Sequence, residues 1–492
     1  MKQLSVKTNY KRINLAIIAG VTLLVVVLNL VLFGVVDAFG LYLYTATTYE
    51  QPLSSGVVDY LGDLEGKGHE VKIRFCMSED ALTADPIYNL VWETACELAE
   101  TFSFVSVDTI SLLTHPDAVS KYLYKEQVNP ETGLTERVQV ANLSRQSVII
   151  DGGKYHVLQN LSSFFVLDEQ KLITSYRGEE VMAGAVRYVT ASTHPKAYYT
   201  TNHGEKVSLP MLELLVCAGY DITPIDLLSE TPTDVGGILL ISTPAYDFTK
   251  GNTGVRGEIE KIEEFMQGGG LVLACLDPLS ANTRALEELL SRWGISVTHE
   301  AVRDNQLSTT TDGYTLVTEY AENQTAEELK NFIYQYNQAR VVLREASSLI
   351  VNEVEGKTVA PLLLSSPSAK TYSEAGVTSD AGNFPLSALS LDNQSGGGVL
   401  VTASYYLAAT DALDSNDYGN SDFFFGVIEK YAHQKTPVSA KRLQMDNRRL
   451  EDLSIGEARV YTLFLAVICP LVPLVLGGVV LLRRRSGRRR AQ

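Results

Sequence analysis

Two long uncharged apolar runs, one near each end of the chain, most constrain how these 492 residues can fold. Residues 13–36 form a run of 24 and residues 461–482 a run of 22, and neither contains a charged side chain. As a helix, the first run is about 36 Å long, which exceeds the bilayer core of about 30 Å. Pro470 and Pro473 lie in the second run, and membrane helices tolerate such prolines with a local kink. The sequence therefore predicts two transmembrane helices.

Basic residues flank the two runs on the sides that face the chain termini, namely Lys11, Arg12, Arg483, Arg484 and Arg485. Clustered Lys and Arg mark the cytoplasmic side of a membrane span, so both termini are predicted to be cytoplasmic. The predicted localisation is the plasma membrane, crossed twice, with the main body outside the cytoplasm. A cleaved signal peptide ending at residues 36–38 is the alternative for the first run, although its apolar core is longer than the usual 7–15 or so residues.

The charge of the chain is unevenly distributed. Residues 1–36 and 461–492 carry ten basic side chains and no acidic one, whereas the whole chain has a net charge of −17. The 424 residues between them therefore carry −27. A body this acidic repels phosphate backbones, so we expect no nucleic-acid partner. The arginine-rich tail at 483–492 is expected to fix topology and to contact anionic membrane lipid.

The cysteines favour free thiols over a disulfide scaffold or a metal site. Four of the five, Cys76, Cys96, Cys217 and Cys275, are scattered through apolar segments outside the terminal runs. No CxxC motif or Cys/His pair with metal spacing occurs in the sequence. We therefore predict no metal site and no cofactor, and the sequence leaves the disulfide status open.

Strand-like and helix-like segments alternate through the body, which predicts an α/β fold. The segment 146–158, QSVIIDGGKYHVL, is typical of a hairpin that turns at Gly152-Gly153. From residue 191 the pattern restarts with nearly continuous apolar strands between helices, which favours a parallel sheet covered on both faces. The predicted organisation is a basic end and first span at 1–36, an α/β domain at 45–190, a second α/β domain at 191–435 with an insertion at about 304–355, a linker at 436–460, the second span at 461–482 and a basic tail at 483–492.

The stretch YYTTNHGEK at 198–206 places an imidazole and a carboxylate just past the strand KAYYTT. In an open parallel sheet, ligands bind at the carboxyl ends of the strands. His203 and Glu205, with Asp277 at the end of the strand LVLACLDP, are therefore candidates for a binding crevice. The alternative is a turn in which Gly204 takes a positive φ and the polar pair is solvated, and the incomplete chemistry favours that turn.

Motifs for catalysis are incomplete in this sequence. EVEGKT at 353–358 resembles the tail of a phosphate-binding loop, but Val351 occupies the position of the leading glycine. No G-x-S-x-G or G-x-C-x-G segment marks a nucleophile. Cys275 lies within an apolar strand and is expected in the core. We therefore predict no catalytic residue.

Several segments, in order along the chain, resemble the GldG family of ABC-transporter auxiliary proteins. YRGEEVMAGAVRYVT at 176–190 is similar to the family's "gE…ai..vt" helix, and KAYYTTNHGEK at 196–206 to its "tGHGE" segment. The later segments are GYDITPIDL, GGILLISTPAYDFT, EEFMQGGGLVLACLDP and LEELLSRWGISV, followed by a closing helix and apolar run with a basic end. Asn202 stands where the family pattern has Gly, although Asn also tolerates a positive φ.

The resemblance implies a central domain like the glutamine-amidotransferase or flavodoxin α/β sandwich. It also implies a non-enzymatic, membrane-anchored accessory subunit outside the cytoplasm, working beside an ABC permease and its cytoplasmic ATPase. An anchored hydrolase or small-ligand-binding protein that uses the crevice near His203 is the alternative.

Overall fold

The computed structural model of the protein describes residues 52–445, apart from positions 113, 115, 129–134, 168–170, 235, 253, 277–282 and 416. Its described residues belong to one compact unit that begins at Pro52.

The first part of this unit alternates short strands with helices. In chain order its elements are α1 (Ser55–Gly62), β1 (Val71–Phe75), α2 (Glu79–Ala84), α3 (Pro86–Thr101), β2 (Val105–Thr109), α4 (Pro116–Leu123), β3 (Tyr124–Val128), β4 (Thr135–Gln139), β5 (Ser147–Asp151), β6 (His156–Asn160), a 3-10 turn (Leu161–Phe164), β7 (Phe165–Leu167), β8 (Ile173–Tyr176) and α5 (Gly178–Thr190).

The second part repeats the alternation on a larger scale. Its elements are β9 (Lys196–Thr200), α6 (Leu209–Cys217), β10 (Asp221–Ile225), β11 (Ile238–Ser242), α7 (Glu258–Gln267), β12 (Leu271–Cys275), α8 (Arg284–Arg292), β13 (Ile295–Arg303), β14 (Thr315–Val317), β15 (Glu319–Tyr320), α9 (Gln324–Tyr334), β16 (Val342–Arg344), β17 (Ser347–Val351), β18 (Lys357–Leu364), β19 (Lys370–Ser373), β20 (Gly376–Val377), β21 (Pro385–Asp392), β22 (Gly398–Thr402), a 3-10 turn (Tyr405–Ala408), α10 (Thr410–Leu413), α11 (Asn420–Tyr431) and β23 (Leu443–Gln444).

A four-stranded sheet of order β2-β1-β5-β6 organises the first part. Strand β1 pairs parallel with β2 and antiparallel with β5, and β5 continues antiparallel into β6. All five residues of β5 are buried, because α5 packs against this sheet and Ile149 packs on Val119 and Tyr122 of α4. The β5–β6 hairpin turns at Gly152-Gly153, where Gly153 has a φ of 85°. The predicted hairpin is thus present at the predicted turn.

An eight-stranded sheet of order β10-β9-β11-β12-β22-β21-β18-β15 organises the second part. The first five strands run parallel, and β21, β18 and β15 each pair antiparallel with the strand before them. The sheet is therefore mixed, which corrects the expectation of a parallel sheet. The antiparallel strands follow from a hairpin, since β21 and β22 are joined by the short turn at 393–397.

Both faces of this sheet are covered, as the apolar strands predict. Every residue of β11, β12 and β22 is buried. Leu240, with its counterparts in β12 and β22, faces one core beneath α6 and α11. Leu239 faces the opposite core beneath α7 and α8. Successive residues of one strand thus fill two cores, which is why these strands lack polar alternation.

The segment 304–355, predicted as an insertion, supplies β14 to β17 and α9. Strand β15 extends the large sheet by pairing with β18, and β17 pairs with β13. Helix α9 packs against α11 and β18. These residues are therefore part of the layered core.

The prediction of two transmembrane helices is wrong for the part of the chain that the structure describes. None of the helices within 52–445 is long and apolar enough to cross a membrane. Helix α3, with 16 residues, is about 24 Å long and carries Glu93 and Glu100. The runs at 13–36 and 461–482, with Lys11, Arg12, Arg483, Arg484 and Arg485, lie outside the described residues. The prediction of a two-pass plasma-membrane localisation depended on those two helices and is corrected together with them.

Candidate functional site

The candidate site lies where the order of the large sheet reverses. From β9 the chain passes to β10 on one side and then to β11 on the other, so the carboxyl ends of β9 and β11 lie side by side. In open α/β sheets such a switch point is where a crevice for ligands forms. The loops that follow these two strands, residues 201–208 and the described part of 243–257, begin at this point.

The turn after β9 has the left-handed backbone that its sequence allows. Asn202 has a φ of 77° and Gly204 a φ of 72°. The carbonyl of His203 accepts hydrogen bonds from the backbone N–H groups of Ala245 and Tyr246, at 2.7 and 2.9 Å. A Cβ at Gly204 would lie 2.9 Å from the Cβ of Ala245, closer than real contacts allow. Asn202 thus adopts the left-handed conformation expected of a Gly at that position. At position 204 a Gly is needed, because its φ is positive and there is no room for a Cβ.

His203 is enclosed rather than solvated, because only 5% of its surface is exposed. Its Nε2 lies 3.2 Å from both carboxylate oxygens of Glu258. Its Nδ1 lies 3.4 Å from Glu205 Oε1 and 3.1 Å from the carbonyl oxygen of Thr201. The ring of Phe248 stacks on the imidazole with centroids 4.1 Å apart. The turn therefore aims the imidazole inward, into a cluster built by three segments of chain.

The two carboxylates set the protonation state of His203. Burial alone lowers the pKa of the imidazole, but the hydrogen bond and charge of Glu205 and the charge of Glu258 outweigh it and raise that pKa to about 9. For Glu205, burial raises the pKa, yet the bonds from His203 and from backbone N–H groups bring it below its ordinary value. The imidazole is thus a cation at neutral pH and donates hydrogen bonds to its neighbours.

Glu258 is the functional-site residue that sequence reasoning missed. It is the first residue of α7 and is 1% exposed. Its Oε2 also accepts hydrogen bonds from the backbone N–H and the hydroxyl of Thr249, at 2.8 and 2.9 Å. The sequence does contain a signal for Glu258. Helix α7 follows the parallel strand β11, and such a helix begins at the edge of the sheet where the strand ends. An acidic residue at the start of that helix is therefore close to any ligand or side chain at the switch point.

Asp277, the third residue of the predicted crevice, lies outside the described residues. The strand before it, β12, ends at Cys275, whose carbonyl accepts a hydrogen bond from the N–H of Thr243 at 2.8 Å. The structure thus brings His203 and Glu205 together and places the end of β12 beside the loop after β11.

The chemistry available to this cluster is limited by its protonation. A general base must have a free lone pair, and an imidazolium at neutral pH has none. Cys275 is a buried, free cysteine, and burial raises the pKa of its thiol to about 12. The thiol therefore stays protonated and weakly nucleophilic. Within the described residues, no group of three or more His, Cys, Asp or Glu side chains is placed to hold a metal ion.

A second cluster of charged side chains, which are largely buried apart from the half-exposed Glu213, was also not predicted from the sequence, and we call it the α5 network. It comprises Arg177, Glu180, Glu213, Asp414 and Arg442. Glu180 Oε2 accepts hydrogen bonds from Nε and Nη2 of Arg442 at 2.9 and 2.7 Å, although the two residues are 262 positions apart. Arg177 Nη2 lies 2.6 Å from Glu213. Burial raises the pKa of Asp414 to about 6, against the opposing effect of the two arginines.

The neighbouring Glu179 joins the two ends of the described chain. Its Oε2 accepts hydrogen bonds from the backbone N–H of Ser54 at 3.1 Å and of Lys441 at 3.4 Å. Strand β23, which follows Lys441, pairs with β8 just before α5. The start and the end of the described body therefore meet at the first turn of α5.

Comparison with known proteins assigns no family to this chain. No protein-family model matches it, and no curated protein matches it closely enough to count as a relative. Among solved structures, the mmIFT52 N-terminal domain is similar at a TM-score of 0.36 and 15% identity, over 48% of this chain and 97% of that one. A similarity of this size carries no argument about fold or function. The resemblance to the GldG family stays a prediction.

Proposed function

We propose that the chain is a non-enzymatic accessory subunit of an ABC transporter, which acts by contact with a separate permease and ATPase. The transporter part of this proposal rests on the resemblance to the GldG family. The non-enzymatic part rests on the geometry of the candidate site.

The enclosed imidazolium of His203 is the single structural observation that supports the non-enzymatic part of the proposal. Its Nε2 and Nδ1 are occupied by Glu258 and by Glu205 and Thr201, and Phe248 covers one face. A hydrolase that used His203 would need a neutral ring, a nucleophile within reach and room for a substrate. The observed contacts favour a structural role instead, in which His203 ties the loop after β9 to the loop after β11 and to α7.

The segments that carry the family resemblance also hold the body together. YRGEEVMAGAVRYVT forms the end of β8 and α5, which supplies Glu179 and Glu180. KAYYTTNHGEK forms β9 and the His203 turn. These residues stabilise the fold of the body. A subunit that works through a docking surface needs such a stable fold, because its partner binds a surface of fixed shape.

Affinity purification of the full chain tests the proposal. We expect the tagged chain, extracted in a mild detergent, to recover an ABC permease and its ATPase well above the level recovered by the tag alone. The His203→Gln variant, once shown to fold, is expected to recover them equally.

Two results would contradict the proposal. One is a chain that purifies without either transporter subunit. The other is a hydrolytic activity of the purified chain that His203→Gln abolishes while the fold is kept.

A further inference from the structure

A polar pocket of about 380 Å³ lies where the two ends of the described chain meet. Its walls come from the chain start at 52–54, the first turn of α5, the loop after α9, the first turn of α11 with the loop before it, and the segment 439–442. Its volume falls within the range of about 300–1,000 Å³ that small-molecule sites occupy. The residues that line it are different from those of the His203 cluster.

Asp422, in the first turn of α11, holds the walls of this pocket in place. Its Oδ1 accepts a hydrogen bond from the backbone N–H of Ser439 at 2.7 Å. Its Oδ2 accepts hydrogen bonds from the side-chain amide of Asn337 at 2.9 Å and from the hydroxyl of Ser439 at 3.0 Å. Three segments that are distant in the sequence are therefore fixed around the pocket before a ligand enters, and such preorganisation lowers the cost of binding.

Two polar atoms of buried residues face this pocket without a hydrogen-bond partner among the described residues. One is Oε1 of Glu180, a residue that is 2% exposed and whose other carboxylate oxygen, Oε2, accepts both bonds from Arg442. The other is the hydroxyl of Ser421, a residue that is 9% exposed. Both residues line the pocket and both atoms keep accessible surface, unlike the unpartnered hydroxyl of Ser54, which is sealed from solvent. Buried polar groups are nearly always paired in folded proteins, so two open ones in one pocket point to a ligand.

The charges in the lining select the kind of ligand. The carboxylates of Glu180 and Asp422 are matched there by the cationic side chains of Lys441 and Arg442. The pocket therefore carries no excess charge that would favour an anion or a cation. An ionised carboxylate oxygen needs a donor, whereas a serine hydroxyl either donates or accepts. A ligand with hydroxyl groups suits both atoms, because each of its O–H groups both donates and accepts.

The rest of the lining has a similar character. Further hydroxyl-bearing side chains of the pocket are Tyr336, Ser415, Tyr418 and Ser439. Tyrosine combines a polar tip with an apolar ring, and so offers a surface to the C–H groups of a ligand as well as a partner to its oxygens. Walls of this composition match a molecule that has hydroxyl groups on several sides of a small carbon skeleton.

We propose that this pocket binds a neutral polyhydroxylated molecule of monosaccharide size, one hydroxyl of which donates to Oε1 of Glu180 while another bonds to the hydroxyl of Ser421. The site is independent of the His203 cluster and of the proposed transporter role.

Sugars that share one ring and differ in charge test the proposal: glucose, glucuronate and glucosamine. Saturation-transfer NMR on the full chain measures the binding of each, and mannose and galactose sample the stereochemistry of the neutral sugar. We expect a neutral sugar to bind more tightly than either charged one. Tetrahydropyran, which has the ring without the hydroxyl groups, is expected not to bind.

A pair of serine variants separates loss of a ligand contact from loss of structure. Ser421→Ala removes one hydrogen bond to the ligand and is expected to weaken the best neutral sugar about 3- to 10-fold. Its urea midpoint of unfolding should stay that of the wild type, because the hydroxyl has no partner among the described residues. Ser390→Ala is the matched control, since the Ser390 hydroxyl also lacks a partner but is buried in β21, outside the pocket, and binding should be unchanged.

Four results would overturn the proposal. The first is that no neutral sugar binds, which would mean that water alone satisfies the two open atoms. The others are equal affinities of Ser421→Ala and the wild type, a loss of affinity that appears only together with a lower urea midpoint, and tighter binding of glucuronate or glucosamine than of any neutral sugar.

Discussion

His203 is held by two carboxylates that come from different segments of the chain. Glu205 belongs to the same turn as His203, and Glu258 is the first residue of a helix that begins 55 positions after His203. A buried ion pair adds little net stability when compared with apolar residues of the same shape, but removing one partner leaves an uncompensated charge. The role of His203 is therefore to keep Glu205 and Glu258 compensated while it links their segments.

Replacing His203 tests this role directly. We expect His203→Ala to lower the free energy of unfolding by about 3–5 kcal/mol, because two carboxylates remain buried without a cation. Urea denaturation measures the change. His299→Asn is the control, because His299 faces Glu287 at 3.0 Å on the surface and Asn tolerates the φ of 58° at this position, so the expected loss is about 0–1 kcal/mol. Equal losses in the two variants would show that the His203 cluster is no more than a surface contact.

The pH dependence of stability provides a second test at this residue. The folded-state pKa of His203, about 9, is raised above the value of about 6.5 expected in the unfolded chain. Its contribution is thus complete below pH 6.5 and is lost as the pH rises through 9. We expect unfolding free energy to fall by about 2–3 kcal/mol more in the wild type than in His203→Ala over that interval. Parallel pH profiles for the two proteins would contradict the raised pKa.

Helix α5 joins the two parts of the molecule through close packing as well as charge. Gly184 lets α5 approach α6, because a Cβ there would meet the backbone of Cys217. We expect Gly184→Ala to lower the free energy of unfolding by about 1–3 kcal/mol through overpacking. Gly62→Ala in α1 is the matched control, since nothing lies within 4 Å of its Cβ position and Ala favours a helix. A Gly184→Ala variant as stable as the wild type would contradict this packing.

Within the α5 network, the Glu180–Arg442 pair joins α5 to the segment at the end of the described chain. We expect Glu180→Met and Arg442→Met each to lower the free energy of unfolding by about 3–5 kcal/mol, because each strands a buried charge. The double variant removes both charges and should lose much less than the sum. A double-mutant cycle in urea measures the coupling, and strictly additive losses would argue against a direct pair.

At the scale of the whole molecule, the features predicted correctly from the sequence are the strands and turns that depend on short stretches of residues. The strand KAYYTT corresponds to β9, and the hairpin at Gly152-Gly153 joins β5 to β6. The apolar runs of β11 and β12 indicated strands covered on both faces. The turn at 202–204 was favoured because the chemistry around it was incomplete, and Asn202 and Gly204 do adopt a positive φ. The expected solvation of its polar pair is wrong, since His203 and Glu205 are both buried.

The features that were missed depend on distant parts of the chain. Glu258 reaches His203 and Arg442 reaches Glu180 only because the sheet order and β23 bring them together, and no spacing in the sequence encodes those distances. Strand β21 was missed because serine interrupts its apolar residues, and Ser387 and Ser390 are nonetheless fully buried. The expected transmembrane helices came from hydropathy alone, and among the described residues the longest helix, α3, is too short and too charged to span a bilayer.

The proposed role of the whole molecule depends most on the protonation state of the His203 imidazole. If His203 is a permanent cation enclosed by the fold, the switch point is filled by the protein's own side chains and the chain works through its contacts. NMR titration of the full chain with ¹³C-labelled histidine measures that state, and the His203→Gln spectrum identifies the signal. We predict that the ring titrates with a pKa of about 9. A pKa at or below the ordinary value of about 6.5 would contradict the account, because the ring would then be a neutral base available for catalysis.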